Sequence, residues 1–186
     1  MTAYPCSKAP LRLTFVRELW LAAEVDGRDY VYAASGLAMC SGILHVVSDD
    51  SNMLASFDLA SGTRGDGVPL LTRGVLPSDP IARKRVKPDF EALVKLPPEE
   101  GLPHGGLLAL GSGSTAARTA GAIIILDGSG RAAASIEVDL ETSLYAGLRA
   151  AFPEVNIEGG VWRDGRLLLF QRGNASVRNS TVVTFE

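Results

Sequence analysis

The sequence carries no large excess of charge: 18 basic residues stand against 21 acidic ones, for a formal net charge of −3. Without a surplus of Lys and Arg, nucleic acid is excluded as a general partner, because binding to a phosphate backbone rests on basic charge. Cysteine is scarce too. Cys6 and Cys40 cannot build a disulfide framework for 186 residues, and two unrelated buried thiols are favoured over a single bridge. No apolar run approaches the ~18–20 residues of a membrane helix. The longest is Ala122–Leu126, so no membrane partner is expected. Met1–Pro10 is polar and broken by proline, unlike a secretory leader; the expected compartment is the cytoplasm unless a leader was removed. No Gly-x-Ser-x-Gly elbow is present to activate a serine. Gly111–Thr115 lacks the Lys-Ser/Thr ending of a phosphate loop.

What the sequence does have is turn formers and short apolar segments. Gly 20 and Pro 10 make up 30 of 186 residues without a Gly-X-Y period, and 46% of the chain is apolar. That pattern predicts an all-β fold with one or two short helices, in a single domain over 1–186. Three stretches, roughly 30–75, 86–140 and 155–186, share one layout. Each has a small-residue strand, a turn, an apolar strand, a polar loop, and a third strand ending in a carboxylate. From Gly36 to Glu91 is 55 residues and from Glu91 to Glu158 is 67, against roughly 40–50 for a propeller blade.

The surplus falls in insertions. Pro97–Pro103 is a loop by composition. Ser143–Phe152 repeats Leu144, Leu148 and Phe152 at helical spacing, with Thr142 or Ser143 as cap. Asp79–Lys87 predicts a helix capped by Asp79 with Pro80 at its first position. Outer strands are expected at 68–72 and 134–140.

Such sheets cannot bury both faces alone, so they stack around an axis, and the expected architecture is a β-propeller or part of one, about three blades long. A sandwich built from the same strands is the competing arrangement. Closed propellers need about four to eight blades. Three blades therefore imply either part of a longer protein or a homodimer that closes the ring, with Leu11–Ala22 completing the partner's third blade.

Lys87–Leu93, His104–Ser114, Phe152–Gly160 and Leu168–Asn174 together resemble a family of uncharacterised bacterial propeller-like proteins of unknown function. The likeness covers the chain from about residue 30 onward and carries no activity with it. More distantly, Asn156–Trp162 is similar to an element of regucalcin- and gluconolactonase-type propellers. Asp89–Leu93 is similar to one of phytase-like and esterase-like propellers. These resemblances imply that Glu91 and Glu158 open inner strands and point into a central channel that holds a divalent metal, usually Ca²⁺. In this alignment Gly36 stands where the first repeat would carry its carboxylate.

The residues themselves lead to the same chemistry. Converging carboxylates repel unless a cation or a shared proton neutralises them. Glu91, Glu158, Asp89 and Asn156 offer hard oxygens suited to Ca²⁺ or another divalent cation, with no organic cofactor indicated. The bland alternative is that Glu91 and Glu158 bond backbone amides or arginines such as Arg172. Ser48–Ser51 reads as a solvated turn in preference to a source of metal ligands, Arg83–Lys87 as a solvated basic face or an anion-binding rim, and His45 as a core or edge histidine in preference to a base. Asn174 and Asn179 match glycosylation acceptors by chance.

Two functions follow. One is a binding scaffold with a carboxylate-lined channel that takes a small molecule or metal ion. The other is a metal-dependent hydrolase of a lactone, ester or phosphoester, with His104 or Arg172 as its catalytic candidates.

Overall fold

The computed structural model describes residues 14–15, 17–25, 27–173, 177 and 180–185. Cys6, the glycosylation matches at Asn174 and Asn179, and part of Leu11–Ala22 lie outside them. The fold is mostly β with two short α-helices, arranged as four antiparallel sheets, none of which closes into a ring.

The first sheet runs β3 (Ala34–Cys40), β4 (Ile43–Ser48), β5 (Met53–Asp58), β6 (Asp66–Pro69) in simple up-and-down order. The second repeats that order with β7 (Phe90–Leu96), β8 (Gly106–Gly111), β9 (Ala120–Leu126) and β10 (Ala132–Asp139). The third has β11 (Ile157–Arg163), β12 (Arg166–Gln171) and β13 (Thr181–Phe185). A separate hairpin, β1 (Trp20–Val25) with β2 (Arg28–Tyr30), precedes them. The two four-stranded sheets have the form of propeller blades. Outer strands begin and end earlier than read from sequence, at 66–69 and 132–139.

Turn chemistry fixes the register. Ser41-Gly42 and Asp164-Gly165 sit at positive φ between paired ends Cys40↔Ile43 and Arg163↔Arg166, as two-residue primed turns require. Each sheet's first strand carries a bulge at the same place, between Ala34 and Gly36, Phe90 and Ala92, and Ile157 and Gly159. Ser35, Glu91 and Glu158 are therefore equivalent. The sequence alignment had chosen Gly36; the extra residue of the bulge displaces the match by one position.

Two apolar layers hold the sheets together. Val47 and Leu54 of the first sheet, with Leu70 just after β6, meet Phe90, Leu107 and Ile124 of the second. Val94 and Leu110 of the second meet Ile157 and Leu169 of the third, with Leu144, Tyr145 and Leu148 at the margin. Strand β7 thus lies between β3 and β11. Gly36 and Gly160 allow this: a Cβ on Gly36 would lie 2.9 Å from the Leu93 amide nitrogen, and one on Gly160 2.8 Å from Val94. A third layer (Leu21, Val46, Ala55, Phe57) seats the β1–β2 hairpin on the outer face of the first sheet.

Helix α1 (Pro80–Val86) starts as the sequence predicts: Asp79 accepts from the Ala82 amide at 2.8 Å, and Pro80 opens the helix. The second insertion is a π-helical turn, Glu141–Tyr145, running into α2 (Ala146–Ala151). Neither Thr142 nor Ser143 caps that turn; the Asp139 carboxylate accepts from the Glu141 amide at 2.9 Å. Tyr145 anchors it, its hydroxyl donating to the Gly111 carbonyl at 2.6 Å. His45 is fully buried, bonded to Ser56 and to the Gly130 carbonyl of the second sheet. Cys40 is a buried free thiol. No described helix is long and apolar enough to cross a membrane.

Candidate functional site

The bulges set the site. Backbone bonds from Asp49 to Ala33, Ser112 to Asp89 and Arg172 to Asn156 close the mouth of each inner hairpin in the same way. They gather the loop before each inner strand and the residue after the next strand at one end of the molecule. Ala33 and Asp89, at corresponding positions, both take positive φ. An Asp tolerates that region through its short polar side chain.

At this end Asp49, Asp89 and Glu91 bring one carboxylate oxygen each within 4.8 Å of the others. Asp89 is buried, and Asp49 and Glu91 are half-buried. Two cations counter them. Lys87 reaches Asp49 at 2.8 Å and Asp89 at 3.1 Å, and Arg118 reaches Asp89 at 3.0 Å. Ser112 donates to Asp89 at 2.7 Å. Burial works against the Lys87 ammonium, but its contacts with Asp49 and Asp89 outweigh it and raise the pKa above the ordinary value.

Glu91 is the exception in this network. No hydrogen bond or ion pair holds its carboxylate among the described residues. Burial first, then the charges of Asp89, Glu158 and Asp49, push its pKa from 4.5 up to about 7, with Lys87 offsetting part of the rise. Asp49 Oδ1 is likewise buried without a hydrogen-bond partner. Three hard oxygen donors, two of them unsatisfied by hydrogen bonds, fit a divalent cation of the Ca²⁺ or Mg²⁺ type.

The residues proposed from sequence divide into three groups. Asp89 and Glu91 lie in the cluster. Glu158 is on the adjacent inner strand and acts on Glu91 through its charge, but its own oxygen is held by Asn156 at 2.7 Å and Arg172 at 3.0 Å. Asn156 is thereby engaged with Glu158 and bonded through its amide to Gln171. Arg172 is exposed beside it. His104 is on the β7–β8 loop, over Gly128. That is the far end of a seven-residue strand from Glu91, ~20 Å along the strand at ~3.3 Å per residue.

Asp49 was read as part of a solvated turn. Its signal was the acidic pair after an apolar strand, at the position equivalent to Ser112 and Arg172. The Arg83–Lys87 run is also not a uniform solvated face: Arg83 is buried and ion-paired to Asp50 at 3.1 Å, and Lys87 enters the cluster, while Lys84 and Arg85 face outward. Between α1 and the cluster lies an open cleft of about 900 Å³, lined by Arg28, Asp50, Lys84, Lys87 and Asp89 among others.

Residues 30–186 match the model of a family of unknown function, DUF6929. The chain belongs to that family. No curated protein matches it and no solved structure does. Membership in DUF6929 assigns no reaction.

Proposed function

We propose that this DUF6929 member is a propeller-type binding scaffold whose channel end takes a divalent cation, with Asp49, Asp89 and Glu91 as ligands. The propeller reading is supported by the neighbouring inner strands β3, β7 and β11 and by the bulge they share. The observation that carries the binding reading is the convergence of those three carboxylates from two sheets. Lys87 and Arg118 only partly compensate them. The small ligand of such a scaffold would enter by the charged cleft beside α1.

The test is thermal melting of chelator-stripped protein with and without millimolar Ca²⁺, Mg²⁺ or Mn²⁺. A cation that binds only the folded chain at a hundred times its Kd stabilises it by about 2.7 kcal/mol. Coincident melts under every condition would remove the reading.

One observation favours a hydrolase as the second reading. A carboxyl group near pKa 7 without a fixed partner is matched to general acid–base work at neutral pH. A bound cation would supply Lewis acidity. In this reading Asp49 and Asp89 would hold the cation and leave Glu91 outside its ligands to carry the proton, and Arg172, beside Glu158, would steady developing negative charge. A lactone, ester and phosphoester screen decides it: turnover lost in Glu91→Gln supports a hydrolase, and no turnover on any of the three classes rejects it.

A further inference from the structure

The cleft beside α1 has two of the proposed cation ligands in its wall, Asp49 and Asp89. Most of the charge around it is of the other sign. Among the described residues, five basic side chains line it against three acidic ones, the third being Asp50. That is an excess of two positive charges, in a chain whose net charge is −3. Its volume of about 900 Å³ is of the size that takes a small molecule.

Of the five cations, Arg83 is committed to the Asp50 carboxylate and to the carbonyls of Asp50 and Pro77. The other four keep donors in reserve. Arg118 uses only Nη1, for Asp89 at 3.0 Å and Ser114 at 2.9 Å; its Nε and Nη2 donate to nothing among the described residues. Arg28 lies 4.3 Å over the Tyr32 ring, which holds its guanidinium in place. It stands 3.5 Å from Asp50, beyond good hydrogen-bond distance. Lys84 is exposed and forms no ion pair among the described residues. Lys87 bridges Asp49 and Asp89 with two of its three protons.

Cation binding enlarges this imbalance. An ion held by Asp49, Asp89 and Glu91 draws their oxygens away from Lys87 and Arg118 and adds two positive charges of its own. Three carboxylates also leave its coordination open: Ca²⁺ takes about six to eight oxygens, and Mg²⁺ is bound by about one or two carboxylates together with phosphate oxygens. Further oxygens can reach the ion from the cleft, past Arg118 and Lys87. We propose that the cleft takes a small molecule by its phosphoryl group, whose oxygens are shared between the bound cation and Arg118, Lys87, Arg28 and Lys84. A phosphoryl dianion suits these groups better than a carboxylate does. It carries twice the charge, and its three oxygens can face a metal ion and a guanidinium fork together. Cation and anion each neutralise what the other leaves in excess, so each tightens the other by the same factor. The inference rests on the cation reading above and names the ligand of that same site.

Calorimetric titration of methylphosphonate at pH 8 tests it, since the carbon–phosphorus bond of that probe resists hydrolysis. It is titrated into the full chain in chelator and in millimolar Ca²⁺, with acetate as the carboxylate control and Ca²⁺ alone titrated beside them. The expected result is saturable methylphosphonate binding that Ca²⁺ tightens by about tenfold or more, with acetate bound more weakly. Arg118→Gln should weaken methylphosphonate by about tenfold. Ca²⁺ alone should bind that variant no more weakly than the parent, because Arg118 competes for Asp89. Lys84→Ala, at an exposed position, should also weaken methylphosphonate while its melt and Ca²⁺ affinity stay at the parent values. No methylphosphonate binding, equal binding with and without Ca²⁺, acetate bound as tightly, or indifference to both substitutions would overturn the inference. Ca²⁺ bound on its own in any of those cases would leave the cation reading standing, whereas no Ca²⁺ binding would remove that reading and this inference with it.

Discussion

Lys87 places its ammonium 2.8 Å from Asp49 Oδ2, joining the loop that enters the second sheet to the loop that leaves β4 of the first. The same nitrogen lies 3.1 Å from Asp89, so one cation stands where two acidic loops meet. A divalent ion binding there competes with Lys87 for the carboxylates.

Replacing Lys87 with Met should therefore act in opposite directions with and without metal. In chelator the variant loses a partly buried ion pair and should melt lower, by about 1–3 kcal/mol for hydrogen bonds to a charged group. In Ca²⁺ the competition is gone and the cation-induced gain should exceed that of the parent. Paired melts of both proteins in the two buffers check this.

Glu91 predicts the pH dependence. Its folded pKa lies near 7 against an ordinary 4.5, so the folded chain holds that proton more tightly than the unfolded one. The resulting stability is complete below about pH 4.5 and is lost as pH rises through about 7. A shift of this size corresponds to roughly 3 kcal/mol, and solvent screening of a half-buried group reduces it to about 1–2. Glu91→Gln should thus be more stable than the parent at pH 8 in chelator and show a flatter pH profile from 5 to 8. Because a cation must displace the proton, Ca²⁺ affinity should be higher at pH 8 than at pH 6.

Glu158 should behave differently, although sequence alone pairs it with Glu91. It is already bonded to Asn156 and Arg172 at the surface. Glu158→Gln should change stability by no more than about 1 kcal/mol, in the destabilising direction. Chemical denaturation of the two Gln variants side by side separates a repelled carboxylate from a paired one.

Much of this organisation is legible in the residues. Asp79-Pro80 marks a helix start, and the apolar run Ile123–Leu126 marks a strand covered on both faces; Leu167–Phe170 reads the same way, but only one face of β12 is covered and Phe170 is 45% exposed. The bulge is not legible, since one extra residue leaves the apolar pattern intact while shifting the match from Ser35 to Gly36. Asp49 ranks below a solvated turn in the sequence for a related reason. Its role depends on β4 ending beside β7, a relation between sheets that no local pattern encodes. The π-turn at 141–145 was read as an ordinary helix because Leu144 and Leu148 keep helical spacing; the anchor is Tyr145, one position off that series.

Tyr145 gives a prediction independent of the site. Its buried hydroxyl is the donor to the Gly111 carbonyl, and its ring lies where a Cβ on Gly113 would fall, 2.5 Å away. Tyr145→Phe should cost about 1–2 kcal/mol by leaving that carbonyl unsatisfied. Gly113→Ala should cost more, since it adds a clash at positive φ. Urea unfolding of both variants, with unchanged m-values, checks the order.

Calorimetric titration of Ca²⁺ into chelator-stripped protein at pH 8, run beside Asp49→Asn, tests the central claim most directly. The account predicts one cation per chain for the parent and at least tenfold weaker binding for the variant, whose substitution removes the charge beside the unpartnered Oδ1. Binding of equal strength in both proteins, or no heat from Ca²⁺, Mg²⁺ or Mn²⁺ in the parent, would contradict it.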